Sequence, residues 1–342
     1  MKSARHWFFS LHAGAAHALS ISFSGGRWRW VYGEIERQQI LSFKSIRASG
    51  GGTLEVVPKD DALLSAVSLE RAIALVIREL PPALPRPQYV VVSVPSKHAY
   101  LGEIGVAKDE RENLIRFQIQ ELMEAAAGES EREAAFDWQV KAELSDGSVS
   151  LAVAGIDQKQ VDEILRACQA CGLTCLGITL DTVAAMNGYL QMAPAALKSA
   201  DIRFLLHGEL SRNHVRLAVF SQGVLFNESW EHSEEGFSVV QAVSALERLV
   251  STWTRDGAPE EVASVRLILG GELMYAKGCE STAKRSQTLS PRLIEIAPRK
   301  ELQGRWHDDV VPFGALEAMP CERFCSICIP IVRCVKDARS AA

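Results

Sequence analysis

The hydrophobic and polar positions along the chain form alternating blocks that predict strands and helices. Residues 7–23 and 27–36 alternate apolar and polar side chains, which is typical of strands, and a Ser-Gly-Gly sequence between them predicts a hairpin. The amphipathic pattern of 60–80 predicts a helix that ends at two prolines. The glycines of 49–53 predict a flexible loop, and the unbroken apolar run of 88–95 predicts a strand buried on both faces.

A compact block then predicts one strand, one helix and two further strands. These elements cover, in order, 99–106, 109–125, 135–144 and 148–155. A helix over 157–171 and a strand over 173–180 follow, and Asp181 is predicted to cap the next helix. The first half therefore alternates strands and helices, as α/β proteins do.

The second half of the chain repeats this order. Three strands, a long helix, a strand and a further helix are predicted at 202–208, 214–221, 223–230, about 236–254, 265–271 and from Glu272 onward. A last strand is predicted at 291–298. A repeated order of antiparallel strands, helix, buried strand and helix predicts two related lobes with a cleft between them.

Composition and charge exclude several classes of function. The chain has 342 residues, of which 47% are hydrophobic, and a net charge of −5, whereas bulk nucleic-acid binding needs concentrated positive charge. No apolar run approaches the roughly 20 residues that span a bilayer, and the N-terminus lacks the long apolar region of a signal peptide. We therefore expect no nucleic-acid partner and no direct membrane span.

The eight cysteines raise the question of a redox or metal site. A chain of this length buries a sufficient core without disulfides, which favours reduced cysteines in the cytoplasm. Cys168 and Cys171 end a predicted helix, whereas redox cysteines gain thiolate stability at a helix N-terminus, so buried apolar cysteines are predicted there. The spacing of Cys321, Cys325 and Cys328 is compatible with an iron–sulfur or zinc site, which remains an alternative.

Three segments between Val90 and about Leu190 resemble, in their order and spacing, the PilM-like proteins of type IV pilus assembly. That family shares the actin-like fold with the cell-division protein FtsA. The segments are VVVSVPSKHAYLGEIGV, then RENLIRFQIQELM with AAFDWQV, and then the stretch from VAGIDQKQ to LDTVAAMN. A weaker resemblance covers almost the whole chain, with LILGGE at 267–272 in the place of the family's adenosine-side turn.

The resemblance implies an α/β, actin-like (ribonuclease H-like) fold of two lobes. Residues 1–198 would form the first lobe, with an inserted β-α-β-β subdomain at about 97–176. Residues 199–342 would form a second lobe. It is expected to be reduced, because the helices that family members insert after its third strand are missing after Trp230.

The resemblance also implies a degenerate nucleotide site. Aligned on the glycines, the family's phosphate-binding aspartates, serine and lysine are replaced by His12, Ala15, Leu19 and Leu206. The glycines that remain are Gly14, Gly208, Gly270 and Gly271. Neutral and apolar side chains cannot hold Mg²⁺ or stabilise a transferring phosphoryl group. We therefore expect no catalysis, no cofactor and no metal.

By the same resemblance, the protein would bind the cytoplasmic N-terminal tail of a bitopic PilN-like inner-membrane protein. It would be a cytoplasmic scaffold, held at the inner membrane through this partner, in a type IV pilus or related secretion system. The pilus assembly ATPase is a further candidate partner. A peptide groove beside the inserted subdomain would be lined by Tyr100, Phe117, Gln118 and Glu121.

Two alternative functions are carried forward. An active actin-like ATPase or sugar kinase would need a carboxylate to replace the missing ones, and Asp181 and Glu272 are the nearest acids in the sequence. A metal or redox protein would use the cysteines near the C-terminus.

Overall fold

The computed structural model describes residues 14–24, 27–37, 41–53, 66–127, 134–192, 202–221, 224–255, 264–294, 306–317 and 327–328. The strands in these residues are β1 (Gly14–Ser24), β2 (Arg27–Arg37), β3 (Leu41–Thr53), β4 (Tyr89–Val94), β5 (Tyr100–Ala107), β6 (Ala134–Glu143), β7 (Ser148–Asp157), β8 (Thr174–Leu180), β9 (Phe204–Leu210), β10 (His214–Ser221), β11 (Val224–His232), β12 (Val265–Gly270) and β13 (Ile327–Cys328). The helices are α1 (Ala66–Glu79), α2 (Glu112–Ala127), α3 (Gln158–Ala170), α4 (Asp181–Met192), α5 (Val239–Arg255), α6 (Cys279–Arg285) and α7 (Trp306–Glu317).

The first lobe is built on a six-stranded sheet with the order β13-β8-β4-β1-β2-β3. The strands β1, β2 and β3 are antiparallel neighbours, and β4 and β8 continue the sheet in parallel to β1. Alternate residues of β1 face opposite sides, as the pleat requires. Leu19 and Ile21 pack in the core cluster that contains α1 and α3, and Ala16 and Ala18 pack in the cluster that contains α7.

The second lobe repeats this order on a smaller scale. Its sheet has the order β11-β10-β9-β12, in which β9, β10 and β11 are antiparallel and β12 is parallel to β9. Helix α5 packs on this sheet through a buried apolar stripe that includes Ala242, Leu246 and Val250. The predicted repeat of antiparallel strands, a helix and a buried strand is therefore confirmed, and the first lobe has a third antiparallel strand, β3, that was not predicted.

The inserted unit forms a third sheet with the order β5-β7-β6. Helix α2 covers one face of this sheet, where Ile119 and Met123 pack against Val153. The chain leaves the first sheet after β4 and returns to it through α3 and β8. A β-α-β-β unit inside the first lobe is thus present, as predicted.

The prediction of a flexible loop at 49–53 was wrong, because these residues belong to β3. Trp30 pairs with Gly50 and Trp28 with Gly52 across the β2–β3 ladder. A Cβ atom at either glycine would lie 2.8–2.9 Å from the opposite indole ring. The glycines therefore make room for two tryptophans that are almost fully buried, and the rings stabilise a strand that glycine alone would weaken.

The C-terminal part of the described chain lies on the first lobe, whereas the resemblance implied that it belongs to the second lobe. Helix α7 packs against α4 and the first sheet, and β13 pairs in parallel with β8. The strand predicted at 291–298 is not seen in its described part, 291–294. Residues 290–292 form a 3-10 turn, and Leu293 makes one isolated bridge to Leu267. Residues 295–298 lie outside the described part.

The cysteines can be followed only in part. Cys168, Cys171, Cys175 and Cys279 are buried and form no disulfide. Cys321, Cys325 and Cys334 lie outside the described residues, and Cys328 belongs to β13. In the part of the chain that is described, no helix is long and apolar enough to cross a bilayer.

Candidate functional site between the lobes

A cavity of about 200 Å³ lies between the two lobes. The first lobe contributes Ser22 and Phe23, next to the β1–β2 turn, with Asp181 and Tyr189 of α4. The second lobe contributes residues of β9, of the β9–β10 turn and of the segment after β12, namely His207, Glu209, 211–214, Gly271 and Glu272. In each lobe, the hairpin between the first two strands therefore faces this cavity.

Arg216 of β10 lies in the wall of the cavity, and its side chain is only 1% exposed. Its guanidinium pairs with Glu209 of β9 and with Glu228 of β11, the latter at 3.4 Å from Nη1 to Oε1. It also lies 4.9 Å from the centre of the Trp230 ring. A buried guanidinium needs such partners, because removing a charge from water costs several kcal/mol.

The same guanidinium binds the first lobe. Nη1 donates hydrogen bonds to Asp181 Oδ1 and Ser96 Oγ, both at 2.9 Å, and to Thr182 Oγ1. Asp181 is the first residue of α4, and its Oδ1 also accepts the backbone N–H of the next residue, Thr182, at 2.7 Å. Arg216 therefore connects the two lobes through charge-assisted hydrogen bonds.

At Glu228, the first lobe donates hydrogen bonds to the second. This second-lobe carboxylate accepts hydrogen bonds from Ser96 Oγ at 2.8 Å and from Thr182 Oγ1 at 2.6 Å, both in the first lobe. Its side chain is 5% exposed. The lobes are thus joined by a buried polar network in which each lobe donates to the other.

The network favours the charged forms of Arg216 and Glu209 but not that of Glu228. Burial acts to lower the pKa of Arg216, but Asp181, Glu209 and Glu228 raise it above its usual value, so the guanidinium remains charged. Burial acts to raise the pKa of Glu209, yet Arg216 and the hydrogen bond with His214 hold it well below the usual range. The pKa of Glu228 is raised, mainly by burial.

Two histidines on the cavity wall are neutral at physiological pH. Burial, with the nearby Arg216, lowers the pKa of His207 to about 4. Burial, with the nearby His207, lowers the pKa of His307 to about 3. The ring of Tyr189 lies between them, 5.2 Å from His207 and 6.5 Å from His307, so the cavity is partly lined by uncharged rings.

This arrangement does not fit a magnesium nucleotide. Of the carboxylates at the cavity, Asp181 and Glu209 are bound by Arg216 and Glu272 accepts the backbone N–H of Arg212, and no group of three metal-ligating side chains occurs among the described residues. A volume of about 200 Å³ is also below the roughly 300–1,000 Å³ typical of pockets for drug-sized ligands. At this cavity, the described side chains connect the two lobes by ion pairs and hydrogen bonds.

The structure places most of the predicted phosphate-loop residues away from this cavity. Gly14 and Ala15 lie at the beginning of β1, whereas the turn that faces the cleft follows the other end of this 11-residue strand. Leu19 and Leu206 are fully buried in the cores of the two lobes. His12 lies outside the described residues.

The remaining predicted glycines are only partly at the cavity. Gly208 packs against core leucines of the second lobe, and a Cβ there would lie 2.6 Å from Leu246. Gly270 lies against Tyr189 and His207. Gly271 lines the cavity with a φ of 92°, which favours glycine.

The sequence did not lead to a prediction of Arg216, the central residue of the site. Arg216 stands in the apolar strand sequence HVRLAVF, and Glu209 stands in FLLHGEL. A charged residue among buried strand positions requires a partner of opposite charge. This requirement could have indicated Arg216 and Glu209 as members of a buried ion-pair network. The sequence alone could not identify the partners in the first lobe, because Ser96 and Asp181 come from distant parts of the chain.

A second and larger cavity, of about 500 Å³, lies beside the inserted subdomain. We call it the subdomain groove. One wall is the face of the third sheet opposite to α2, and the others come from α4, β8 and β11. Its lining includes Ser96, Lys97, Leu101, Glu103, Lys141, Ala152, Leu180, Val183, Leu225, Glu228 and Trp230. Ser96 and Glu228 thus belong both to the groove and to the network of Arg216.

The residues predicted to line a peptide groove are not brought together by this cavity. Tyr100 packs between the third sheet and α2. Phe117, Gln118 and Glu121 are exposed on α2, and the Phe117 side chain is 59% exposed. None of the four lines the subdomain groove.

No protein-family model matches the chain, and no curated protein sequence matches it. Among solved structures, a PilM–PilN type IV pilus biogenesis complex aligns with a TM-score of 0.61 and 16% identity, over 88% of this chain and 96% of the other. The cytoplasmic domain of EpsL, an inner-membrane component of the type II secretion system of Vibrio cholerae, aligns with a TM-score of 0.50 and 12% identity, over 88% and 95%.

A protein of Bacteroides thetaiotaomicron with an actin-like ATPase fold and unknown function aligns less well, with a TM-score of 0.43 and 11% identity, over 81% and 89%. The observed topology also supports an actin-like fold, because the sheet of each lobe has three antiparallel strands followed in the chain by a parallel one. The chain therefore has the actin-like fold of PilM-like proteins, as the sequence predicted.

Proposed function

We propose that this chain is a non-catalytic scaffold of the inner-membrane platform of a type IV pilus or a related secretion system. In this role it lies in the cytoplasm and binds the cytoplasmic tail of a bitopic PilN-like membrane protein. The pilus assembly ATPase is a further candidate partner. The likeness to the PilM–PilN complex and to the cytoplasmic domain of EpsL supports the platform role.

The observation that carries the non-catalytic part is the position of Arg216. Its guanidinium lies among Asp181, Glu209 and Glu228, at the cavity where the two lobes meet. Phosphoryl transfer depends on a metal ion and on positioned charges, and here the acidic side chains serve a structural ion-pair network instead.

The subdomain groove is the proposed site for the tail. Its volume is within the range of ligand pockets, and its walls combine apolar side chains such as Leu101, Val183 and Leu225 with a few charged ones. A short peptide in such a groove is held by apolar anchors and by backbone hydrogen bonds. In this proposal the partner lies on the face of the third sheet opposite to Phe117.

Binding to synthetic tails tests the proposal. An array of the cytoplasmic N-terminal tails of all bitopic inner-membrane proteins of the source organism is probed with the purified full-length chain. We expect one PilN-like tail to bind, and Leu101→Arg to abolish this binding, because the new charge would lie in an apolar wall of the groove.

Leu144→Arg is the matched control, since Leu144 is similarly exposed (44% against 36% for Leu101) but lies outside the groove. It should bind the tail as the wild type does. Equal binding by both variants, or no tail bound by the wild type, would contradict the proposed function.

A further inference from the structure

The network of Arg216 contains more acidic than basic groups. Asp181, Glu209 and Glu228 all pair with the same guanidinium. Glu209 has a second basic partner in His214, at 3.2 Å. Asp181 and Glu228 have no basic partner other than Arg216 among the described residues, so the buried cluster lacks positive charge.

Glu228 is the member of the cluster that is open to the subdomain groove. The hydrogen bonds that it accepts from Ser96, Thr182 and Arg216 all reach Oε1, and Oε2 accepts none from the described residues. Oε2 is not one of the fully buried polar atoms that lack a partner, so part of the 5% exposed area of the side chain belongs to it and faces the groove. A carboxylate oxygen in this position can accept a charge-assisted hydrogen bond from a cationic group of a ligand.

The lysines of the groove do not supply the missing charge. Lys141 is paired with Glu103 on the same wall. Lys97 also lines the groove, but it makes no ion pair with Glu228. Burial and, less strongly, Asp181 raise the pKa of Glu228, and Arg216 with the hydrogen bonds from Thr182 and Ser96 only partly opposes them.

We propose that a positively charged group of the bound tail enters the subdomain groove and pairs with Oε2 of Glu228. The inference rests on the proposed function and specifies the chemistry of its partner. The occupant is a short peptide with one basic group beside apolar residues, since Leu101, Val183 and Leu225 line the same groove. A lysine or arginine side chain and a free N-terminal ammonium group provide the same chemistry.

The test starts from random octapeptides displayed for selection against the wild-type full-length chain. Peptides whose binding is blocked by Leu101→Arg are kept, because these occupy the groove. We expect them to share one basic position. Replacing that residue by norleucine should weaken binding about tenfold to a hundredfold, as expected for the loss of a charged hydrogen bond to a buried group. N-terminal acetylation distinguishes an ammonium terminus from a side chain.

Glu228→Gln should lower the affinity of the selected peptides by a similar factor. Glu231→Gln is the matched control: Glu231 is on the same strand but pairs with Arg248 and does not line the groove. The norleucine comparison uses only wild-type protein, so it decides the question even where Glu228→Gln fails to fold.

The possible results separate the two proposals. Groove-binding peptides without a basic residue, or equal affinity for Glu228→Gln and the wild type, would overturn the inference and leave the proposed function standing. If no selected peptide is blocked by Leu101→Arg, the groove binds no peptide, and the proposed function fails with it.

Discussion

Replacing Arg216 by methionine should destabilise the protein by about 3–5 kcal/mol, the usual cost of removing one partner of a buried ion pair. The methionine fills a similar volume, but it leaves Asp181, Glu209 and Glu228 buried together without their cation. Denaturation by urea, followed by circular dichroism, measures the loss of unfolding free energy.

The pH dependence gives a second readout for this variant. Without Arg216, the pKa values of the buried carboxyls rise above those in the unfolded chain, so the unfolded state binds fewer protons than the folded state. The stability deficit of the variant relative to the wild type should therefore widen as the pH is raised from 5 to 8.

Arg248→Met is the control for Arg216→Met. Arg248 is largely exposed and pairs with Glu231 on the surface, so its loss should change stability by at most about 1 kcal/mol. Equal destabilisation by the two variants would show that the buried network does not hold the lobes together as described.

Adding one methyl group at Gly314 should destabilise the first lobe by about 1–3 kcal/mol, because α4 and α7 are in direct backbone contact there. A Cβ at Gly314 would lie 1.8 Å from the carbonyl oxygen of Ala184, and one at Gly188 would lie 2.5 Å from that of Val310. In Gly314→Ala, α7 must move away from α4. Amide hydrogen exchange should show faster exchange in α7.

Gly105→Ala is the matched control, since a Cβ at that position would meet no atom within 4 Å. It should leave both the unfolding free energy and the exchange of α7 close to those of the wild type. A stable Gly314→Ala variant with unchanged exchange would contradict the close packing of α7 on the first lobe.

The sequence predicted the fold well because the hydrophobic periodicity is local information. The strands β4 to β8 and the helices between them lie close to their predicted positions, and the repeat of the lobes follows from their order. The predictions were wrong where contacts with residues distant in the sequence determine the local structure or the position of an element. Gly50 and Gly52 form a strand only because tryptophans of β2 cover them, and α7 returns to the first lobe through contacts with α4.

The candidate site was predicted less well, for the same physical reason. The alignment assigned Gly14 and Gly208 to the phosphate-binding part of the family's site, whereas Gly14 begins a long strand and Gly208 makes room for core leucines. The two turns that face the cleft became clear only from strand pairing. The loss of the family's aspartates was therefore predicted from an alignment that did not match the turns at the cleft. The proposal of a non-catalytic cleft now rests on Arg216 and its partners instead.

The groove shows the limit of reasoning from exposed residues. Phe117 was a reasonable candidate, because an aromatic residue away from the apolar stripe of a helix often contacts a partner. The structure leaves it exposed on α2, while the cavity lies on the opposite face of the third sheet. Which face of a three-stranded sheet meets the other lobe is a property of the tertiary structure.

Calorimetric titration of the purified chain with Mg-ATP, with and without excess EDTA, tests the central claim most directly. The claim is that an ion-pair network centred on Arg216 occupies the place of metal and nucleotide between the lobes. We predict no binding heat at millimolar nucleotide under either condition. Magnesium-dependent binding would show that the cleft still accepts a metal–nucleotide complex, and would contradict the account.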